Sequence, residues 1–327
     1  MTAEDYSKKA FQWAKALKLL DPSLCLILCG ETGHSSWDHK VLNSCIQYAD
    51  MHSIHIYTSG KSHLSNVTAP LSAERAIETA AALIDIARIE KNIPPGVGKT
   101  KICFDEWNMW DPTRAPGEKG AEELYTLSDA LGVAVWLNVF VRQSRWVGMA
   151  NIAQSVNVIS PLMTTKDGVV KQATWWPLLL FSRYMRGWTV GVHVSAGVYD
   201  GVTEPAWLQG VLEQGASWLD VSASVNEHGV ISLVVVNINE TTDFEVDLAS
   251  VGKEVEVYTI TGKDVKAVNV EGDEQVGVKE SKWDGQGKYK FAKHSMTLLR
   301  WSTGKKITEV VQGDEVRLNT RKLAWSA

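Results

Sequence analysis

The amino-acid sequence predicts an α/β part followed by an all-β part. Residues 1 to about 190 alternate helical patterns with short apolar runs, which is typical of parallel strands connected by helices. From about Val194 the helical pattern stops, and turn residues separate short alternating runs such as VISLVVVNI and EVEVYTI. That pattern is typical of an antiparallel β-sandwich or jelly roll. We therefore expect an α/β domain over residues 1–192 and a β-sandwich domain over residues 193–327.

Residues that stop helices mark the elements of the first domain. The opening helix ends near Leu20, before Pro22, and a long helix ends near Asn92, before Pro94, because proline cannot continue a helix. In chain order we expect helices over residues 1–20, 41–49, 72–92, 122–143 and 176–185, and strands over residues 24–29, 52–58, 101–106 and 155–163.

Four parallel strands are too few for a closed (β/α)8 barrel, which needs eight. They could form an open doubly wound sheet, but that fold would call for a glycine-rich phosphate-binding turn, and Gly30 with Gly33 does not match one. The opening helix also has no strand before it. We therefore interpret residues 1–192 as the C-terminal half of a TIM (β/α)8 barrel.

Charge and hydrophobicity argue against nucleic-acid and membrane partners. The chain has 33 basic and 38 acidic side chains and a net charge of -5, and it contains no basic run that would follow a phosphate backbone. It also lacks an apolar stretch of about 18 residues and the apolar core of a signal peptide. The localisation stays open between extracellular, if a longer precursor carries a signal, and cytoplasmic.

The four cysteines all lie in the first third of the chain, so a disulfide framework does not hold the β-rich part. Cys25 and Cys29 do not have the spacing of metal ligands, and we expect both to be packed thiols on a buried strand. The other two are Cys45 and Cys103. The sequence predicts neither a metal nor a cofactor.

The run KICFDEWNMW, residues 101–110, is the strongest indication of a catalytic group. Because alternate residues of a strand face opposite ways, only one of Asp105 and Glu106 should enter a site. We favour Glu106, which comes last in the run, at the end of the strand where barrel enzymes carry their catalytic residues. Trp107 and Trp110 would supply apolar walls for a sugar ring. The alternative is a turn-capping polar residue among core tryptophans.

Several motifs in order resemble the C-terminal portion of the family 51 glycoside hydrolases, the retaining α-L-arabinofuranosidases. FDEWNMW is similar to the nucleophile motif of that family, SIHIYT to its sixth barrel strand, NIAQSVNVISPLMT to its eighth, and VVKQATWWP to the following segment. The region from Val194 onward, with HSMTLLRW near its end, resembles the C-terminal β-domain. The resemblance covers essentially the whole chain.

The resemblance implies that Glu106 is the nucleophile that forms a covalent arabinosyl ester. It also implies that Tyr57 hydrogen-bonds Glu106 and that His55 helps to order the carboxylates. Trp110 would form a wall of the substrate pocket, and Gln172 would bind sugar hydroxyls. His55 and Tyr57 share strand parity, so both can face the barrel mouth. The alternative for each is a structural residue at a strand end.

Retaining hydrolysis also needs a second carboxyl group about 5 to 5.5 Å from the first, which acts as acid and then as base. In the family this residue is a Glu at the end of the fourth barrel strand, and the chain begins just after the corresponding point. The acid/base and barrel strands one to four are thus expected to lie outside it. Glu31 is the only substitute in the chain, and its strand does not place it over the sugar.

We therefore expect a retaining glycosidase chain that acts on terminal α-L-arabinofuranosyl residues of a glycan and lacks its acid/base half. One alternative is another barrel glycosidase with the same nucleophile strand, such as a xylanase or glucuronidase. The other is a non-catalytic carbohydrate-binding chain or pseudoenzyme. Half a barrel has unpaired edges, so the isolated chain should be poorly soluble, or form a homo-oligomer, or associate with a complementing chain.

Overall fold

The computed structural model describes residues 1–94, 96–114, 121–212, 214–249 and 251–305. The helices are α1 (Ala3–Leu20), α2 (Ser36–Cys45), a 3₁₀ helix (Ile46–Tyr48), α3 (His63–Thr68), α4 (Leu71–Glu90), α5 (Leu127–Arg142), α6 (Trp175–Tyr184) and α7 (Trp207–Val211). The strands of the first half are β1 (Ile27–Leu28), β2 (Met51–Thr58), β3 (Lys101–Met109), β4 (Val147–Ile152), β5 (Leu162–Thr164), β6 (Val169–Lys171) and β7 (Trp188–Val190). The later strands are β8 (Val198–Tyr199), β9 (Ala216–Ser217), β10 (Leu219–Val225), β11 (Val230–Asn237), β12 (Phe244–Asp247), β13 (Val255–Thr261), β14 (Asn269–Val270), β15 (Asp273–Glu274), β16 (Gly277–Trp283), β17 (Lys288–Phe291) and β18 (Ser295–Ser302).

The chain forms two compact units. The first contains Met1–Tyr57, Ser72–Trp107 and Gln143–Ala153. The second contains Thr58–Leu71, the described residues of 108–142 and the described residues from Gln154 onward. The boundary expected at residues 192 and 193 falls inside the second unit, because helices α5 and α6 belong to that unit.

The four strands β1 to β4 form one sheet in chain order. β1 runs parallel to β2, and β3 runs parallel to β4. β3 also runs parallel to β2. Near the start of the two strands Lys101 N donates a hydrogen bond to Asp50 O at 3.0 Å, and near their ends Trp110 N donates to Thr58 O at 2.8 Å. The expectation of four adjacent parallel strands is thus confirmed.

The fourth strand lies elsewhere than predicted. It is β4, VGMANI, and not residues 155–163, which form mainly bends and turns before β5. Asn157 and Ile159 have positive φ angles of 64° and 37°, which are incompatible with a regular strand. The apolar alternation of VNVIS therefore misled the prediction, whereas β4 is mostly exposed and has no such alternation.

The helix predictions differ from the structure mainly at their boundaries. α1 ends at Leu20 as expected, and the hydroxyl of Thr2 caps its start by accepting a hydrogen bond from Asp5 N at 3.2 Å. α2 begins at Ser36, earlier than predicted, and α5 begins at Leu127, later than predicted. The short helix α3 was not expected, because its sequence HLSNVT has no apolar face.

A six-stranded sheet in the order β16-β13-β18-β11-β10-β7 forms the centre of the second unit. On β11, Val234 and Val236 pack in a core with helices α5 and α6, whereas Leu233 and Val235 pack in a second core with β12 and β17. Both faces of the strand are therefore buried, which explains its continuous apolar run. The β-rich part predicted from the sequence is confirmed, and its sheet takes in β7 as well.

The four cysteines are free thiols, and two of them are more exposed than the sequence predicted. Cys45 and Cys103 are buried, but Cys25 and Cys29 are exposed, so the expectation of packed thiols on a buried strand was wrong for those two. The reason is that β1 spans only Ile27–Leu28 and that Ile27 is itself 45% exposed. None of the helices in the described ranges is long and apolar enough to cross a membrane.

Candidate active site

Two predicted residues meet near the carboxyl ends of neighbouring strands. Tyr57 on β2 donates a hydrogen bond from its hydroxyl to Oε2 of Glu106 on β3, with an oxygen–oxygen distance of 2.9 Å. Glu106 is exposed, so its other carboxylate oxygen can meet a ligand from solvent. Both residues belong to the first unit. The structure therefore brings together the carboxylate and the phenol that the sequence motifs implied.

Strict alternation along β3 does not hold at this point. The pairing of β3 with β4 shifts its register between Phe104 and Trp107, so the residues between them leave the regular pleat. Asp105 is consequently half-exposed, and its Oδ1 lies 3.8 Å from Nδ1 of His55. The premise that only one of the two acids can face this edge was wrong. The predicted partner His55 thus lies beside Asp105.

The phenol of Tyr57 is held in its protonated form. Burial, the hydrogen bond to Glu106 and the negative charges of Glu106 and Asp105 all raise the pKa of Tyr57 above its usual range. At neutral pH the hydroxyl therefore remains a donor, and the carboxylate of Glu106 is its acceptor. This arrangement fixes the orientation of Glu106 without neutralising it.

Two further predicted residues lie in the second unit. Trp110 is half-buried, and its backbone N bonds Thr58 O at 2.8 Å. Gln172 is fully buried, and its Oε1 accepts a hydrogen bond from Tyr125 N at 2.8 Å. Its Nε2 donates to Glu123 O at 3.1 Å and to Ser160 O at 2.8 Å. These bonds give Gln172 a structural role, and the sugar contact implied for it stays a prediction.

Trp107 does not line a site in this structure. It is only 3% exposed, so it belongs to the core of the first unit and not to a wall that faces solvent. The expectation that Trp107 supplies an apolar wall was therefore wrong. The alternative of a core tryptophan, which the sequence left open, applies to this residue.

The sequence did not reveal a buried acidic cluster in the second unit. Asp111 N donates to Oε1 of Glu123 at 2.8 Å, and the guanidinium of Arg114 lies 3.5 Å from Glu123 and 2.9 Å from Asp129. Burial raises the pKa of Glu123 to about 7 against the attraction of Arg114. The sequence did indicate part of this cluster, because Thr126 precedes Asp129 by three residues, which is a helix-capping pattern. In the structure Asp129 N donates to the hydroxyl of Thr126.

The first unit contains a second buried group that was missed. The side chain of Asp38, at the start of α2, is fully buried and lies 2.9 Å from Nε2 of His52. Its sequence signal was the spacing of Ser35 and Asp38, which form a capping box. Within the part of the chain that the structure describes, no cluster of three or more His, Cys, Asp or Glu residues could hold a metal ion.

The fold and the site define a mixed α/β protein with an exposed carboxylate, oriented by a tyrosine, at the carboxyl ends of parallel strands. Residues 105–295 match the family described as the alpha-L-arabinofuranosidase C-terminal domain. The chain belongs to this family, which confirms the resemblance inferred from its motifs.

Curated relatives extend the match over most of the chain. The chain is 59% identical over 313 residues to the probable alpha-L-arabinofuranosidase C of Aspergillus fumigatus, with 92% of this chain and 62% of the relative covered. It is 58% identical over 312 residues to the alpha-L-arabinofuranosidase C of Emericella nidulans, with the same coverage. The chain thus spans less than two thirds of the length of these relatives.

A solved structure shows the same fold. The crystal structure of the alpha-L-arabinofuranosidase from Thermotoga maritima in an arabinose complex matches with a TM-score of 0.80 and 26% sequence identity. The match covers 92% of this chain and 62% of that chain. The similarity therefore again extends over nearly all of the present chain and over only part of the larger protein.

Proposed function

We propose that this chain carries the nucleophile of a retaining glycoside hydrolase that releases terminal α-L-arabinofuranosyl residues from arabinose-containing polysaccharides or oligosaccharides. The observation that carries the proposal is the 2.9 Å hydrogen bond from Tyr57 to the exposed carboxylate of Glu106. The names of the relatives from Aspergillus fumigatus and Emericella nidulans support arabinofuranose as the sugar.

In the proposed reaction, a carboxylate oxygen of Glu106 attacks the anomeric carbon of the sugar. The bond between that carbon and the leaving oxygen breaks, and an arabinosyl ester forms on Glu106. Tyr57 holds the other carboxylate oxygen, so the attacking oxygen keeps one orientation. His55 beside Asp105 orders the second carboxylate of this edge. The sugar-binding roles that the resemblance implies for Trp110 and Gln172 stay predictions, and the observed bonds of Gln172 are structural.

The leaving oxygen needs a proton, and hydrolysis of the ester needs a base. We propose that both come from an acid/base Glu in the part of the relatives' length that this chain does not span. Glu31 follows β1 and is exposed, and it is the alternative within this chain. No catalytic step in the proposal requires a metal or a cofactor.

The proposal includes the fold of the whole enzyme. We propose that residues 1–192 are the C-terminal half of a (β/α)8 barrel and that residues 193–327 are the β-sandwich domain, of which residues 213, 250 and 306–327 lie outside the described residues. The outer strands of the four-stranded sheet support this: β4 is exposed at its four central residues, and Ile27 on β1 is 45% exposed. Strands from another part of the protein could pair with both edges.

An activated substrate tests the role of Glu106 without the acid. An aryl α-L-arabinofuranoside with an acidic phenol as leaving group needs little protonation, so the chain should react once and keep the ester. Peptide mass mapping should find one pentosyl group on the peptide that contains Glu106. Glu106→Gln should abolish the adduct, and the control Asp105→Asn should retain it. Labelling of Asp105 or Glu31, or full turnover of arabinan, would contradict these roles.

A panel of aryl glycosides tests the sugar. The corresponding xylosides and glucuronides should leave Glu106 unlabelled under the conditions that label it with the arabinofuranoside. Labelling by a xyloside or glucuronide alone would instead identify another class of glycosidase. Binding of arabinan without any labelling by any of these reagents would identify a non-catalytic carbohydrate-binding chain.

A further inference from the structure

The segment between β1 and α2 is hydrogen-bonded to a single buried carboxylate, that of Asp38. The Oδ1 atom of Asp38 accepts hydrogen bonds from Glu31 N at 2.8 Å and from Nε2 of His52 at 2.9 Å. Its Oδ2 atom accepts from Gly33 N at 2.8 Å, from Ser35 N at 3.1 Å and from the Ser35 hydroxyl at 2.8 Å. Asp38 is fully buried, so these donors take the place of water around its carboxylate. We call residues Gly30–Ser35 the β1 loop.

The β1 loop lies directly on strand β2. Gly33 has a φ angle of +84°, and a Cβ atom there would lie 2.6 Å from Cδ1 of Ile54 and 3.0 Å from Ala76 O. A side chain at Gly33 would therefore require the loop or the Ile54 side chain to shift, and the positive φ angle itself favours glycine. Glu31 O accepts a hydrogen bond from His55 N at 3.0 Å, which joins the loop to the strand just before Tyr57.

We propose that Asp38 is a positioning residue for the nucleophile. It fixes the β1 loop, the loop holds the backbone of β2 at His55, and the end of β2 places the hydroxyl of Tyr57 on the carboxylate of Glu106. All of these residues belong to the first unit. The inference rests on the proposed role of Glu106, and it adds a residue that contacts neither the sugar nor the reacting atoms.

The charge of Asp38 is essential to this arrangement. Burial by itself raises the pKa of Asp38, but the hydrogen bonds from His52, Glu31 N and Ser35 outweigh burial and hold that pKa at about 2. The side chain is therefore ionised and acts only as an acceptor. An asparagine has the same shape, but its amide group would turn a donor toward the backbone N–H donors, so the β1 loop would have to move.

The experiment compares Asp38→Asn with Ser35→Ala in the full 327-residue chain. Ser35→Ala removes the hydroxyl that caps α2 by accepting from Asp38 N at 3.2 Å and that donates to Oδ2 of Asp38 at 2.8 Å. It leaves the bonds that Asp38 accepts from Glu31 N, Gly33 N, Ser35 N and Nε2 of His52. Two quantities are measured for each variant. One is the labelling rate of Glu106 at saturating activated aryl arabinofuranoside, and the other is the titration of Tyr57 followed by NMR on 13C-labelled tyrosine, assigned with Tyr57→Phe.

Asp38→Asn should lower the labelling rate by about tenfold or more, because the displaced Tyr57 would lose its hydrogen bond to the charged carboxylate of Glu106. The pKa of Tyr57 should fall toward its ordinary value of about 10. Ser35→Ala keeps the charge of Asp38 and four of its five hydrogen-bond donors, so it should change the labelling rate and the pKa of Tyr57 far less than Asp38→Asn does. A residue that only stabilised α2 would give the same result in both variants, so equal losses in Asp38→Asn and Ser35→Ala would overturn the proposal.

Gly33→Ala provides a second variant in case Asp38→Asn does not fold. It displaces the β1 loop from Ile54 and leaves the carboxylate of Asp38 unchanged, and it should also slow labelling and lower the pKa of Tyr57. No change in either quantity in a folded variant would overturn the proposal. If the unmodified chain is not labelled at all, the proposed function of Glu106 fails, and the titration of Tyr57 still decides the role of Asp38.

Discussion

Asp105 and Glu106 lie where the pairing of β3 with β4 shifts its register. In a regular strand the two carboxylates would face opposite sides, and one would be removed from the edge that carries Tyr57. The irregularity instead leaves Asp105 near His55 and Glu106 on the hydroxyl of Tyr57. A local departure from strand geometry therefore produces the charged end of β3.

Tyr57→Phe tests the single hydrogen bond at Glu106. Removing the hydroxyl leaves the carboxylate without its fixed donor, and a hydrogen bond to a charged group contributes about 1.5 to 3 kcal/mol. We expect the labelling rate of Glu106 at saturating activated arabinofuranoside to fall roughly 10- to 100-fold. Tyr199→Phe is the control, because its hydroxyl donates to the nearby Val202 O in the second unit. Equal rates for Tyr57→Phe and the original chain would contradict the orienting role.

The buried carboxyl group of Glu123 should make the stability of the protein depend on pH. Burial raises its folded-state pKa from 4.5 to about 7, so the folded protein holds this proton more tightly than the unfolded chain does. The contribution of this bound proton to the free energy of unfolding is fully present below about pH 4.5 and is lost as the pH rises through about 7. We expect the free energy of unfolding to lose on the order of 2 kcal/mol of this contribution over that interval.

Urea unfolding of the original chain and of Glu123→Gln at several pH values measures this loss. Gln cannot ionise, so the variant should lose less stability than the original chain between pH 5 and about 8. Asp273→Asn on the exposed strand β15 is a control that should leave the pH dependence unchanged. Parallel curves for Glu123→Gln and the original chain would show that Glu123 does not titrate in this range.

At the scale of elements, the six-stranded sheet owes its position to two cores. Leu298 on β18 is fully buried in the core that the sheet shares with α5 and α6, whereas Leu299 is buried in the opposite core with β12 and β17. The alternation of β18 therefore places neighbouring leucines on the two faces of one sheet. The helices α5 and α6, which precede the β-rich part in the chain, stabilise it by covering one face.

Leu298→Ala should destabilise the second unit by about 2 to 5 kcal/mol, because the variant loses buried methyl groups and leaves a cavity. The matched control is Leu124→Ala, whose side chain is 51% exposed and whose loss should cost less than about 1 kcal/mol. Thermal unfolding followed by circular dichroism measures both effects. A comparable loss in the two variants would mean that Leu298 does not lie in a closely packed core.

At the scale of the whole molecule, the first unit exposes a large amount of apolar surface. Trp13 and Leu20 on α1 are 71% and 83% exposed, and Ile27 on the outer strand β1 is 45% exposed. An outer strand with apolar side chains is a template for pairing with another chain. We therefore expect the isolated chain to be poorly soluble or oligomeric, as the proposal of a half barrel requires.

Light scattering after size-exclusion chromatography tests this expectation with a matched pair of variants. Ile27→Lys places a charge on the edge of β1 and should shift the chain toward the monomer. Val198→Lys is the control, because Val198 has the same 45% exposure and lies on β8 in the second unit. A monodisperse, cooperatively melting monomer for the unmodified chain would argue that the half barrel is self-sufficient.

The sequence by itself located the elements whose pattern is local. The helices α1 and α4, the strands β2 and β3 and the β-rich part all follow from periodicity and helix-stopping residues, because one buried face imposes a repeat on the chain that forms it. The same kind of signal placed Tyr57 and Glu106 near the ends of two neighbouring strands. The family of the chain followed from motifs of this local kind.

The tertiary structure alone decided the features that depend on distant residues. β4 has no apolar alternation, and its place in the sheet comes from pairing with β3. The register shift at Asp105 comes from that same pairing. Asp38 meets His52 only after α2 and β2 have packed, and Arg114 meets Asp129 only after its loop has packed on α5. Burial and ion pairing act between such groups through space, so the pKa values that they set have no counterpart in the order of the residues.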